Sequence, residues 1–277
     1  MENTKKIYYQ LFALGAGFII LYLPFLKTMI SDWDTNANYS HGYLIPIISA
    51  WLIYSLKDEI STIRLQPSNW GIPIIIIACL QLIVAKIGME YFLQRTSIIV
   101  LFFGISLFLY GKDITRKISI PIIYLIFMIP IPVIVWNKIA FPLQLFASYL
   151  TEHVIRLAGM PILREGNVLT LSTITLEVVD ACSGIRSLTT MMALSVPFSF
   201  FLPPGKLNKV ILFLSSIPIA VFANIVRLTA TAFLSSLYGE KFAQGFLHEF
   251  SGMVTFVLGL AMLYGCKVVL TRIRMTK

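Results

Sequence analysis

Residues Leu176 to Leu188 read LEVVDACSGIRSL, and within this stretch a polar segment ends and a long apolar helix is predicted to begin. Cys182 is followed by Ser183 and Gly184, so we expect it at or just before the helix N-terminus. Backbone N–H groups without intrahelical partners at such a position favour a thiolate. A free cysteine is also common as a small buried hydrophobic residue. A reactive role for Cys182 therefore depends on partners elsewhere in the chain.

The composition is that of an integral membrane protein. Of the 277 residues, 57% are hydrophobic and 13% are charged, and the mean hydropathy is +0.83. An ordinary soluble domain contains about 25% charged residues. Apolar runs near the ~20-residue length that crosses a bilayer recur from end to end. They predict one integral membrane domain over residues 1–277, all-α in its spans and in contact with the lipid bilayer.

The apolar runs predict a polytopic protein with about eight transmembrane helices. Their approximate bounds are 7–26, 42–56, 70–85, 96–110, 118–136, 184–202, 208–234 and 250–266. With the N-terminus inside, 13 of the 22 basic residues fall inside and seven outside, while Arg186 and Arg227 lie within spans. The positive-inside rule describes such a distribution. Topology thus explains the net charge of +9, and we predict no nucleic-acid partner.

The segment before Cys182 has the pattern of a small β-hairpin. In REGNVLTLSTITLEVVD, residues 164–180, apolar and polar side chains alternate, and the pairs Gly166–Asn167 and Ser172–Thr173 are typical turn residues. The hairpin is expected on the extracytoplasmic side.

The region around the fifth span is irregular. Pro121, Pro130 and Pro132 predict a kink or an interruption in that helix. Polar residues then interrupt the apolar pattern between 137 and 158, which favours a helix that lies at the membrane interface.

A cysteine, an arginine and a histidine are predicted at one level of the membrane. At 1.5 Å per residue, Arg227 lies about 27 Å from Lys209, near the outer edge of a ~30 Å hydrocarbon core. Asn224, one turn below, indicates an inward-facing pair, and the alternative is an arginine that snorkels to the interface. His248 precedes the eighth span on the same side. Together with Cys182 these residues have the composition of a thiol acyl-transfer centre.

Four other polar residues have roles that the pattern leaves open. Arg186, one turn after Cys182, either favours the thiolate, binds an acidic substrate residue or anchors the helix at the interface. His41, at the end of a polar outer loop, belongs either to the site or to the interface. Asp180 and Glu249 either orient the arginine and histidine or are solvated loop acids.

Two other kinds of function fit some of these residues. A transporter or polysaccharide-export component without peptidase activity would use Arg186 and Arg227 to line an anion path. That function predicts charges near the midplane and internal repeats, and the sequence has neither. A metal site would use His41, Cys182 and His248, but no short-spaced pair of ligands supports it. We predict no metal and no other cofactor.

The chain resembles the exosortase/archaeosortase family of membrane cysteine proteases, which are transpeptidase-like enzymes. The resemblance rests on VDACSGIRSL around Cys182, NIVRLT around Arg227, GFLHEFSGM around His248 and YSHGYLIP at residues 39–46. It extends over nearly the whole chain. It implies that Cys182, Arg227 and His248 are the catalytic residues.

The resemblance also implies a cellular setting and a substrate. It implies an enzyme of the bacterial inner membrane, with its active site facing the periplasm and commonly linked to exopolysaccharide production. The implied substrates are membrane-anchored proteins with a C-terminal PEP-CTERM sorting signal. Cys182 would attack the scissile carbonyl, His248 would exchange the proton, and Arg227 would stabilise the oxyanion or orient the substrate. Whether water, an amine or a lipid takes the acyl group stays open.

Overall fold

The computed structural model describes residues 2–171, 175–178, 185–203, 205–238 and 246–275, which are mostly helical. Contacts divide the chain into two compact units, Met1–Ile131 and Pro132–Lys277. The helices of the N-terminal unit are α1 Glu2–Thr35, α2 Leu44–Ser55, α3 Lys57–Ser61, α4 Gly71–Ile87, α5 Tyr91–Tyr110 and α6 Lys112–Tyr124. Those of the C-terminal unit are α7 Val133–Leu157, α8 Ile185–Phe200, α9 Lys206–Tyr238 and α10 Phe246–Met275.

The N-terminal unit has a core formed by α1, α4 and α5. Their apolar faces share a buried cluster of Tyr22, Ala78, Leu82, Ile98 and Leu101. The buried hydroxyls of Tyr22 and Ser97 lie 2.9 Å apart and satisfy each other. Arg95 of α5, 5% exposed, pairs with Asp32 of α1 at 2.6 Å.

The predicted interruption of the fifth span is confirmed. A 3₁₀ helix, Leu125–Met128, follows α6, and the chain then has no helical residue until α7 begins at Val133. Pro130 and Pro132 lie in this gap, where they have no N–H to donate to a helix.

Backbone groups at the interruption form hydrogen bonds with side chains of a second 3₁₀ helix, Ala37–Tyr43, and of the residues before it. The Trp33 indole N–H donates to the Met128 carbonyl oxygen at 2.8 Å. The Ile131 N–H donates to the Tyr39 hydroxyl at 3.1 Å. These bonds stabilise backbone groups that the break leaves without helical partners.

The C-terminal unit has two hydrophobic clusters, and α9 contributes to both. The first joins α8, α9 and α10 and contains Leu188, Met191, Leu202, Leu212, Ile219, Ala220 and Leu263. The second joins α7, the sheet and α9 and contains Ala147, Ile155, Ile162, Leu169, Leu171, Val178, Leu228 and Ala232. Helix α9 therefore connects the sheet to the helical bundle.

The sheet has three antiparallel strands in the order β1-β2-β3, namely Ile162–Glu165, Val168–Leu171 and Thr175–Glu177. Gly166, at φ 65°, makes the turn between β1 and β2, where a left-handed conformation suits glycine. The predicted hairpin corresponds to β2 and β3. Strand β1 was missed because only Ile162 of its four residues is buried, so the alternation is weak.

The predicted number of eight spans is not confirmed. Among the described residues, five helices are long and apolar enough to cross a membrane: Gly15–Thr35, Tyr91–Tyr110, Val133–Leu157, Lys206–Ser236 and Phe250–Arg272. Three predicted spans correspond to shorter helices. Helix α2 has 12 residues and α8 has 16, both below the range of about 17–25 residues for a transmembrane helix, and α4 with 17 residues is at its lower limit.

Helix α7 differs from the helix predicted at the interface. It has 25 residues and is one of the five candidate spans. The polar residues of α7 are of two kinds: Asn137, Lys138, His153 and Arg156 are exposed, whereas Gln144, Ser148, Thr151 and Glu152 are buried within the protein. The buried ones face protein neighbours, and composition alone does not distinguish them from residues that face water.

Candidate active site

Helix α9 holds Arg227 on its buried face. Arg227 is 9% exposed and Asn224, one turn earlier, is 4% exposed. The neighbouring Ala223 and Leu228 are also buried, so this side of the helix faces the protein. A snorkelling arginine would keep its charged group in water, and this arginine does not.

The Arg227 guanidinium lies against α10. Its Nε–H donates to the Ser251 hydroxyl oxygen at 3.4 Å, a weak hydrogen bond longer than the usual range of about 2.7–3.2 Å. Gly252 lies beside it, since an ideal Cβ on this glycine would be 3.7 Å from Arg227 Cζ. One turn of α9 and one turn of α10 are thus in contact through this side chain.

His248 lies in the first turn of α10, Phe246–Met275, and the structure describes its backbone but not its side chain. Ser251 and Gly252 follow it at the i+3 and i+4 positions, which share one face of a helix. His248 therefore precedes by one helical turn the residues of α10 that contact Arg227.

Cys182 lies outside the described residues, together with Asp180. The last described residue before it, Val178, is fully buried in the cluster that contains Leu228, the neighbour of Arg227 in α9. The next described residue after it is Ile185, the first of α8.

A buried carboxylate attaches the sheet to α7. Glu152, 7% exposed, accepts from Arg164 Nε of β1 at 2.8 Å and pairs with Arg156 at 2.7 Å. The Arg164 guanidinium also lies over the Tyr149 ring, 5.6 Å from its centroid. Two cations around one buried acid leave its charge compensated. Sequence reasoning missed this group, although Glu152 and Arg156 have the i, i+4 spacing of a helical ion pair.

Arg186 is the second residue of α8 and has an exposed side chain. Its carbonyl oxygen accepts from the hydroxyls of Thr189 at 3.1 Å and Thr190 at 2.8 Å. These bonds involve the backbone carbonyl group of Arg186 and not its guanidinium. The three roles considered for its guanidinium stay predictions.

His41 belongs to the N-terminal unit, where it is hydrogen-bonded to the backbone of Phe127 beside the interruption before α7. Burial lowers the pKa of His41 below its usual value, and the bond to Phe127 opposes this effect. The structure therefore gives His41 a partner in the same network as Trp33 and Tyr39.

Residues 33–265 match the model of a family described as transmembrane exosortase. No curated protein and no solved structure matches the chain. The matched range covers more than half of the 277 residues, runs through both units and includes Cys182, Arg227 and His248. The chain belongs to the transmembrane exosortase family.

Proposed function

We propose that this protein is a membrane cysteine peptidase of the transpeptidase type, with Cys182 as nucleophile, His248 as acid and base, and Arg227 as the cation of the site. The observation that carries the proposal is that one turn of α9 contacts both the sheet that leads to the cysteine and the helix that begins beside the histidine. All three residues belong to the C-terminal unit.

The reaction begins with transfer of the Cys182 thiol proton to His248. The thiolate attacks the scissile carbonyl carbon, and the carbonyl oxygen becomes an oxyanion. Collapse of this intermediate breaks the C–N bond, and the leaving amine takes the proton from His248. The acyl group stays on sulfur as a thioester until water, an amine or a lipid attacks it.

Arg227 supplies positive charge where negative charge develops. Because the side chain is 9% exposed, little water screens it, and its interaction with an oxyanion is stronger than at a protein surface. Its planar guanidinium also offers donors in a fixed arrangement.

We further propose a substrate and a location on the basis of family membership. The substrates are membrane-anchored proteins with a C-terminal PEP-CTERM signal, and cleavage takes place at the periplasmic face of the bacterial inner membrane. A link to exopolysaccharide production belongs to the same proposal. We also propose that residues 1–277 act as one domain, since the family match runs through both units.

Trapping of the acyl-enzyme tests the proposal. A tagged PEP-CTERM substrate is co-expressed with the enzyme, and a hydroxylamine-sensitive adduct is sought by electrophoresis and mapped by mass spectrometry. Wild type should form a thioester at Cys182, and Cys182→Ala should form none and leave the substrate uncleaved. Cys79→Ala and Cys266→Ala are matched controls, because Cys79 lies within helix α4 and Cys266 within helix α10. Normal cleavage by Cys182→Ala at equal protein level would exclude the thiol mechanism.

A further inference from the structure

The Arg227 guanidinium is held by two successive residues of α10, in two different ways. Ser251 accepts from Nε at 3.4 Å. An ideal Cβ on Gly252 would lie 3.7 Å from Cζ, 3.7 Å from Nη2 and 3.8 Å from Nη1. These three distances are nearly equal, so Gly252 lies against the flat face of the guanidinium and not against one edge. An edge contact would bring the two Nη atoms closer than Cζ.

The backbone of these two residues is itself fixed. The Thr255 hydroxyl lies 2.8 Å from the Ser251 carbonyl oxygen and 3.0 Å from that of Gly252. Thr255 is 9% exposed, so this contact is shielded from solvent. The turn that contacts Arg227 therefore has one more hydrogen-bonding partner than an ordinary helical turn.

We infer that Ser251 is a positioning residue for Arg227 and that Gly252 leaves room for no side chain larger than a methyl group beside the guanidinium plane. The inference rests on the proposed function. The Ser251 hydroxyl fixes the rotation of the guanidinium plane about the end of the side chain, and the small size of Gly252 leaves the face of that plane unobstructed by a larger side chain.

Orientation matters here because arginine has a long side chain with several rotatable bonds. A cation that must find its orientation during the reaction contributes less than one that is already aligned with the developing charge. The effect of Ser251 is therefore expected on kcat, while substrate that binds through other contacts keeps its KM.

The test compares Ser251→Ala, Ser251→Thr, Gly252→Ala and Gly252→Leu in the full chain, with cleavage of a PEP-CTERM substrate measured in detergent. Ser251→Ala should lower kcat about 3- to 10-fold, with KM changed less than about twofold. Ser251→Thr retains the hydroxyl and should restore most of the rate. Gly252→Leu should lower kcat more than Gly252→Ala, since a methyl group fits at 3.7 Å and a larger side chain displaces the guanidinium.

Ser215→Ala is the matched control. Ser215 is also a partly buried serine at the α9–α10 contact, where its hydroxyl lies 3.4 Å from the Cys266 sulfur. It is 12 residues before Arg227 in α9, about 18 Å along the helix, and its replacement should leave kcat unchanged. Rates are normalised to folded protein by gel filtration and melting temperature, so that loss of folding is not counted as loss of rate.

Two results would overturn the inference: a wild-type kcat for Ser251→Ala, or a loss that Ser251→Thr does not restore. Either result differs from failure of the proposed function. If the proposed function is wrong, Cys182→Ala still cleaves substrate. If only the role of Ser251 is wrong, Cys182→Ala and Arg227→Ala are both inactive.

Discussion

Asn167 and Val178 are joined by two hydrogen bonds, one in each direction. The Val178 N–H donates to the Asn167 carbonyl oxygen at 2.8 Å, and the Asn167 side-chain amide donates to the Val178 carbonyl oxygen at 3.3 Å. Val178 itself is fully buried. The chain thus leaves the sheet toward Cys182 from a residue whose backbone is fixed on both sides.

Asn167→Ala should weaken the hydrogen bonding that holds the Val178 backbone and slow substrate processing about 3- to 10-fold. The side-chain bond is lost in this variant, while the strand pairing stays. The measurement is a time course of cleavage, together with the rate of alkylation of Cys182 in a chain lacking Cys79 and Cys266. Thr170→Ala is the control, since Thr170 is an exposed residue of the same sheet. Equal rates for Asn167→Ala and wild type would contradict a role for this bond.

Arg227→Lys should separate charge from geometry. If the guanidinium stabilises the oxyanion, lysine keeps the charge but lacks the planar donors, and cleavage should fall about 10²- to 10³-fold. The test is a time course for wild type, Arg227→Lys and Arg227→Ala at matched protein level. A lysine variant with the wild-type rate would remove the specific guanidinium role.

The proposed orientation of the protein can be tested with introduced cysteines. In a chain whose Cys79, Cys182 and Cys266 are replaced by alanine, Leu157→Cys should react with a membrane-impermeant maleimide in intact spheroplasts. Leu207→Cys should react only after permeabilisation. Both positions are well exposed, at 89% and 71%, so access to the reagent is limited by the membrane and not by burial. The reverse pattern would place the sheet and the proposed site in the cytoplasm.

His41 should make the stability of the protein depend on pH. Its folded-state pKa is lowered from the usual 6.5 by burial, so near pH 8 both folded and unfolded chains carry a neutral ring. As the pH falls below 6.5, the unfolded chain takes up a proton that the folded chain does not, and the free energy of unfolding decreases. The melting temperature in detergent should therefore decrease as the pH is lowered from 8 to about 5.5.

His41→Gln retains a hydrogen-bond donor but does not titrate, so it should show a smaller decrease than wild type over the same pH range. His153→Gln is the control, because His153 is exposed on α7. If His41→Gln and wild type lose the same number of degrees, the ring of His41 does not carry the effect.

Gly104 allows α4 and α5 to approach closely. A Cβ at this position would lie 2.8 Å from Ile75 Cγ1 and 2.9 Å from the Ile75 backbone nitrogen, so Gly104→Ala forces the helices apart. The expected loss is about 1–3 kcal/mol in the free energy of unfolding, measured as a lower melting temperature in detergent. Gly265→Ala is the matched control in α10, since nothing lies within 4 Å of a Cβ there. A similar effect of both changes would contradict the packing argument.

The sequence predicted best those features that depend on local chemistry. Proline cannot donate a backbone hydrogen bond, so Pro130 and Pro132 identified the interruption before α7. Alternation between 168 and 177 predicted strands β2 and β3. The inward direction of Arg227 was favoured by Asn224, one turn away on the same face, and both residues are buried.

Features that depend on tertiary neighbours could not be read from the pattern. In the sequence, Glu152 has the pattern of an interfacial acid. Its ion pair with Arg164 depends on a residue of a different element, which the local pattern does not include. Ser251 and Gly252 lie within the quoted block around His248, but only the contact with Arg227 gives them a role. The catalytic role of Cys182 stays a prediction, since this residue lies outside the described part of the chain.

The bond between the Trp33 indole and the Met128 carbonyl joins two residues that are synthesised at different times. Trp33 is made 95 residues before its acceptor. At roughly 5–20 residues per second, Trp33 is incorporated roughly 5–20 s before Met128. During that interval the Trp33 indole N–H has no Met128 carbonyl oxygen to which it could donate. Completion of the N-terminal unit therefore waits for translation of its last residues.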